Sequence, residues 1–179
     1  MELSLATASK IAAFAYLVGI FDGEGCLTIN VERDARKRFL KEIAGWRITP
    51  VIQFTNSDMG LIAEIERLLA NFGLHPTIQR YPNCSAHVRL WRMNEIESFC
   101  REAMKFSHGN KLAQLSIFMN ELVPIFHVRS SIGKQKKTWN RSLFLQAIGF
   151  VDEINRFKRS RRTARKYTRQ YFESLWGSN

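Results

Sequence analysis

Residues 16–25 read YLVGIFDGEG, an apolar run that passes through Gly19, meets a glycine-flanked acidic turn and leads straight into the alternating segment CLTINVE. The run predicts a helix that begins near the candidate N-caps Thr7 and Ser9 and reaches about Phe21. It is apolar all round, so it should be covered all round. Phe14, Leu17, Val18 and Phe21 recur at i, i+3, i+4 and i+7, the spacing of a stripe that packs on the chain's own core. The other stripe is small, made of Ala12, Ala15 and Gly19. A glycine inside a helix costs roughly 1 kcal/mol relative to alanine, and small residues one turn apart let a second helix approach closely. The pattern therefore predicts helix against helix, with Ala12, Ala15 and Gly19 at the interface of two copies.

The exit of this helix sets Asp22 and Glu24 at the negative end of its dipole, where acids are disfavoured. If two copies of the helix pair, their Glu24 carboxylates converge; at ~5.5 Å and an effective dielectric of ~20 they repel by roughly 3 kcal/mol. A divalent cation turns that repulsion into a binding site. Oxygen donors from carboxylate, backbone carbonyl, water and phosphate suit Mg²⁺. An isolated DGEG also suits a solvated helix stop, but the all-apolar helix before it and the strand after it favour a site.

Leu17, Val18, Gly19, Ile20, Phe21, Asp22, Gly23, Glu24 and Gly25 together resemble the nine-position LAGLIDADG motif of homing endonucleases. The hydrophobic pattern, both glycine positions and the final acid fit. The resemblance implies that Glu24 is the metal-binding acid, that the Gly23 carbonyl assists it and that Asp22 is the structural acid of the helix end. It implies Mg²⁺, with Mn²⁺ or Ca²⁺ taking its place in crystals. The implied activity is site-specific hydrolysis of double-stranded DNA at a long pseudo-palindromic target, cutting across the minor groove to leave short 3′ overhangs. Asn56, at the end of the second strand, occupies the place of a water-organising residue. The family's expected lysine falls near Gly109 in KFSHGNKLAQ, with His108 and Lys111 alongside, so Lys111 is the candidate for charge stabilisation. Some relatives instead act as RNA maturases on a host intron, and others are non-cleaving DNA-binding regulators.

Composition agrees with a polyanionic partner. The chain has 179 residues, 45% of them hydrophobic, and a formal net charge of +11, the excess expected of a nucleic-acid binder. At that length a single domain with a sizeable core is expected. Residues 156–169 (RFKRSRRTARKYTR) contain no acid, and Arg159, Arg161 and Arg162 are their candidate phosphate contacts. A second basic stretch from Arg129 to Arg141 adds Lys134, Lys136 and Lys137. A charge run is ordinarily a solvated face or tail, but Tyr167, Tyr171, Phe172, Leu175 and Trp176 give the last segment a stripe that should dock. The uncharged run from Ile11 to Phe21 is too short to span a membrane and no cleavage site follows it, so a soluble, intracellular protein with no membrane partner is expected. Cys26, Cys84 and Cys100 show no CxxC spacing and read as reduced, packed thiols; His75, His87, His108 and His127 are scattered without metal-ligand spacing.

The remaining pattern predicts an α+β fold. Strands are expected at 26–33 and 46–56, with a basic loop between them, and at 76–81 and 85–91. Between the two pairs lies a helix capped by Ser57 and stopped by Gly73. Helices are expected near 94–106, 110–123, 140–157 and 164–176, with Pro124 ending one of them. The order α-β-β-α-β-β-α with extra C-terminal helices matches the resembled family. Residues 7–25 then form the interface helix, 26–91 a curved antiparallel sheet with its intervening helix, and 94–179 a helical and basic region. Alternation puts Thr28, Asn30 and Glu32 on one face of the first strand and Arg47, Thr49, Gln53 and Thr55 on one face of the second. Thr77, Gln79, Tyr81, His87 and Arg89 follow in the second hairpin. Such a face can read a major groove, arginine pairing with guanine and Asn or Gln with adenine. Residues 147–155 (AIGFVDEIN) imitate the motif only up to Asp152, because Ile154 stands where its acid belongs. They read as a core helix, leaving one motif per chain and hence a homodimer with a nearly palindromic target.

Overall fold

The computed structural model describes residues 5–33, 45–82, 84–131, 139–158 and 165–177. The elements run α1 (Leu5–Glu24), β1 (Gly25–Arg33), β2 (Trp46–Asn56), α2 (Met59–Asn71), β3 (Thr77–Arg80), β4 (Ala86–Leu90), α3 (Met93–Ala103), α4 (Gly109–Ile117), a π-helical turn (Phe118–Leu122), α5 (Val123–Ser131), α6 (Arg141–Arg156) and α7 (Arg169–Trp176). The first seven follow the expected α-β-β-α-β-β-α order, and the strands form one four-stranded sheet in the order β1-β2-β4-β3. β4 pairs antiparallel with both β2 and β3. Among the described residues no helix is long and apolar enough to cross a membrane.

The chain divides into two compact units, one of residues 1–28 and 50–109, the other of residues 29–49 and 110–179. In the first, the bulky stripe of α1 is buried: Phe14 is 6% exposed, Val18 1%, and Leu17 and Phe21 are fully covered. Phe21 meets Phe54 of β2 and Phe99 of α3 with ring centroids 5.8 and 5.2 Å apart, and Phe14 packs edge-on against Phe72 at 4.8 Å. These edge-to-face contacts between helices and sheet add to the burial itself. In the second unit Trp46 packs on Tyr167 and Phe172, both at 4.8 Å, and Phe172 joins Phe144 and Trp176. The aromatic stripe of the last segment thus docks as expected, apart from Leu175, which is 49% exposed. In α6, Ala147, Ile148, Val151 and Ile154 are buried, so the partial second motif is a core helix.

Several local expectations are corrected. The motif helix does not stop at Phe21 but continues through Glu24, and β1 starts at the next residue with no intervening loop. Gly25 makes this abrupt change of direction possible: a Cβ there would lie 2.3 Å from Phe21 Cδ2 and 2.8 Å from the Phe21 backbone. α2 is capped by Asp58 rather than Ser57, since Asp58 Oδ1 accepts from the Gly60 and Leu61 N–H groups. Gly73 ends it as expected, at φ +72°, with its N–H bonded to the Ala70 carbonyl and that of Leu74 to Leu69. Pro124 does not end a helix. The π turn at Phe118–Leu122 precedes it, and the Val123 N–H donates to the Phe118 carbonyl. That wider turn accommodates a proline that would otherwise remove a hydrogen bond and clash with the preceding turn. The last helix begins at Arg169, capped by Thr168, not near residue 164.

Candidate functional site

The last turn of α1 holds Asp22, Gly23 and Glu24, with no basic residue in it. Glu24 and Gly23 are exposed, and Asp22 is half-buried. Ser107, buried in the segment after α3, donates its hydroxyl to Asp22 Oδ1 at 3.1 Å. The two acids therefore differ in kind: Asp22 is tied to the chain and Glu24 points to solvent. Neither belongs to an ion pair among the described residues, although the helix dipole there is already negative. No three His, Cys, Asp or Glu residues converge to hold a metal among the described residues. Glu24 and Gly23 lie exposed here, and a carboxylate and a backbone carbonyl are oxygens of the kind a hard cation takes. These donors suit Mg²⁺ as part of a set completed from outside the chain.

Along α1 the small stripe lies open. Ala12 and Gly19 are exposed and Ala15 is half-buried, flanked by Ile11 at 43% and Tyr16 at 54% exposure. Nothing lies within 4 Å of a Cβ built on Gly19 or Gly23. Among the described residues no packing contact requires glycine at either position.

The other candidates fall into both units. Asn56 ends β2, and its Oδ1 accepts from the Asp58 N–H at 2.9 Å, so the side chain helps shape the turn into α2. Lys111 is half-buried on α4, in the second unit. In the first unit Thr28 is half-buried with its hydroxyl 3.3 Å from Cys26 Sγ. Gln53, Thr77, Gln79, Tyr81, His87 and Arg89 are brought together on one face of β2, β3 and β4. Gln53 and Thr77 stand in register beside Arg89, and Gln79 beside His87. Burial, then the positive Arg89, hold the His87 imidazole below its ordinary value. In the second unit Asn30 and Thr49 are half-buried, and Glu32 and Arg47 are exposed. Half-buried Arg129 lies over the Trp139 ring at 4.5 Å and is pushed down by burial and then by the charge of Arg47. Lys134, Lys136, Lys137, Arg159, Arg161 and Arg162 lie outside the described residues. Two other cations of the basic run already have acidic partners: Arg165 bonds Asp152 at 2.7 Å, and Arg169 bonds Glu173 at 2.7 Å.

Sequence reasoning missed two residues here. Ser107 gives no periodic signal. Trp91 does, because it continues the polar parity of His87 and Arg89; it is 43% exposed, donates to Thr77 Oγ1 at 2.9 Å and lies under the Arg89 guanidinium. Of the three cysteines, Cys100 is buried, which pushes its thiol up, while Cys84 is exposed in the β3–β4 turn rather than packed.

Comparison with known proteins gives a consistent result. A family profile described as a LAGLIDADG-like domain matches residues 12–103. The homing endonuclease I-CvuI, solved with the I-CreI target in the presence of Mg and with the DNA not cleaved, superposes with a TM-score of 0.73 at 11% identity, covering 93% of this chain and 94% of that one. The archaeal intron-encoded homing endonuclease I-Vdi141I, complexed with DNA, gives a TM-score of 0.64 at 16% identity over 90% of this chain and 92% of the other. The LAGLIDADG meganuclease I-CpaMI, bound to uncleaved DNA, matches with a TM-score of 0.59 at 18% identity. The match covers 76% of this chain and only 42% of I-CpaMI. No curated protein matches the chain by sequence.

Proposed function

The chain belongs to the LAGLIDADG homing endonuclease family, and on that premise we propose that it is a site-specific, metal-dependent double-strand DNA endonuclease acting as a homodimer. The observation that carries the reading is Glu24, an exposed carboxylate with no ion-pair partner among the described residues, at the negative end of a helix whose small-residue face is open. Pairing two copies along Ala12, Ala15 and Gly19 covers that face and brings the two Glu24 side chains together.

Glu24 and the Gly23 carbonyl would hold the cation, with phosphate and water completing its shell. When bound, a divalent cation supplies charge to the scissile phosphate and lowers the pKa of the attacking water. The chain's own residues do the rest. Asp22, held by Ser107, fixes the last turn of α1 and with it the direction of Glu24. Asn56 keeps its amide nitrogen for water while its oxygen serves the turn. The polar faces of the strands set the duplex in register, and Lys111 adds positive charge to the phosphate backbone. Each copy cuts one strand, so the target is nearly palindromic.

The test is cleavage of a plasmid library with Mg²⁺ by the wild-type chain and by Glu24→Gln. The wild type should cut a unique site and the variant should bind DNA without cutting; equal cutting by both refutes the assignment of Glu24.

A further inference from the structure

The Arg89 guanidinium sits at the centre of the polar face of β2, β3 and β4. Its Nε donates to Gln53 Oε1 at 2.7 Å and its Nη1 to Gln79 Oε1 at 2.5 Å. Its Nη2 donates to the Tyr81 hydroxyl oxygen at 3.0 Å and to His87 Nδ1 at 2.6 Å. A guanidinium has five N–H groups and no acceptor. Four are therefore engaged within the protein, and the fork that the sequence offered to guanine is not free.

The same rule fixes the chemistry of every partner. Both carboxamides must turn their oxygens to Arg89, the Tyr81 oxygen must accept, and His87 must be neutral with its proton on Nε2. Each partner then keeps its own donor for the outside. Gln79 shows its NH₂ group, Tyr81 its O–H and His87 its Nε2–H. Gln53 donates its amide to Thr55 Oγ1 at 3.0 Å, so Thr55 too has its proton to give. Side chains of four types from three strands are thereby turned into a surface rich in donors.

We propose that this face is a donor-rich reader, held in that state by Arg89 acting as a positioning residue, and that it selects duplexes presenting paired acceptors in the major groove. This deepens the endonuclease reading and rests on it. Guanine offers two acceptors, N7 and O6, side by side, whereas an A·T pair sets the adenine N6 amino group between the adenine N7 and thymine O4 acceptors. The target should carry guanine edges towards the hairpin of β3 and β4.

The experiment selects duplexes from a randomised pool in Ca²⁺ and then measures binding to the winner. Positions under the hairpin are those whose preference changes in Gln79→Ala. They should be enriched in G·C pairs over A·T pairs. Replacing such a guanine by 7-deazaguanine should weaken wild-type binding about tenfold per base, the size of a lost groove contact. Arg89→Met should lose preference at all these positions together, because the released carboxamides and imidazole are free to present acceptors. Selection of A·T over G·C pairs at these positions, indifference to 7-deazaguanine, or loss at a single base pair in Arg89→Met overturns the proposal. The deazaguanine measurement decides the matter on the wild type alone if Arg89→Met fails to fold. Failure to retain any duplex is a different outcome, which removes the endonuclease reading and this proposal with it.

Discussion

Ser107 Oγ donates to Asp22 Oδ1 at 3.1 Å across 85 positions of sequence, fastening the end of α1 to the segment that follows α3. Ser107 is only 2% exposed, so its hydroxyl has little access to water as an alternative partner. Ser107→Ala removes the donor and leaves a half-buried carboxylate oxygen without it. The expected loss is about 1–2 kcal/mol of stability by denaturant unfolding. Cleavage should need more Mg²⁺ than in the wild type while DNA affinity is unchanged, and Ser107→Thr should recover both. An unchanged Mg²⁺ requirement would make Ser107 a packing residue only.

The glycines of the motif should divide into two classes. Gly25→Ala places a methyl 2.3 Å from Phe21 Cδ2 and 2.8 Å from its backbone, so the chain itself should lose roughly 1–3 kcal/mol or fail to fold. At Gly19 a Cβ meets nothing within 4 Å among the described residues, and leucine there improves helix propensity by roughly 0.8 kcal/mol. Gly19→Leu should give a folded monomer by sedimentation where the wild type gives a dimer. A Gly19→Leu dimer of normal strength would place the interface elsewhere.

His87 carries the pH dependence of the recognition face. Its folded value is lowered from 6.5, first by burial and then by Arg89, so the unfolded chain binds this proton more readily than the folded one. The contribution to stability is therefore complete above 6.5 and declines as the pH falls below it. Protonation also removes the Nδ1 acceptor from Arg89. Discrimination between the selected duplex and one with altered hairpin positions should fall from about pH 8 to about pH 5, and His87→Gln should flatten the profile. A profile that stays steep in the variant would assign the effect to another group.

Much of this was legible in the sequence because periodicity reports which faces are covered. The stripe of Phe14, Leu17, Val18 and Phe21 is the buried face of α1, and the alternation in WRITPVIQFTN fixes both the bounds and the sides of β2. What depends on pairing between distant residues was not legible. Ser57 and Asp58 are both able to cap α2, and the choice falls to Asp58 because Asn56 turns the backbone there. Pro124 looked like a helix stop because the π turn that absorbs it leaves no composition signal. Arg89 looked like a guanine reader. Only the register of three strands reveals that its donors already have partners.

The central claim is that two copies of the chain bring their Glu24 side chains to one shared metal-dependent site on DNA. Its most direct measurement is anomalous scattering from Mn²⁺ in a co-crystal of the wild-type chain with its selected duplex. The account predicts a two-fold assembly with manganese coordinated by Glu24 of both copies beside the scissile phosphates. Manganese bound away from Glu24, or two Glu24 side chains too far apart to share one site, would contradict it.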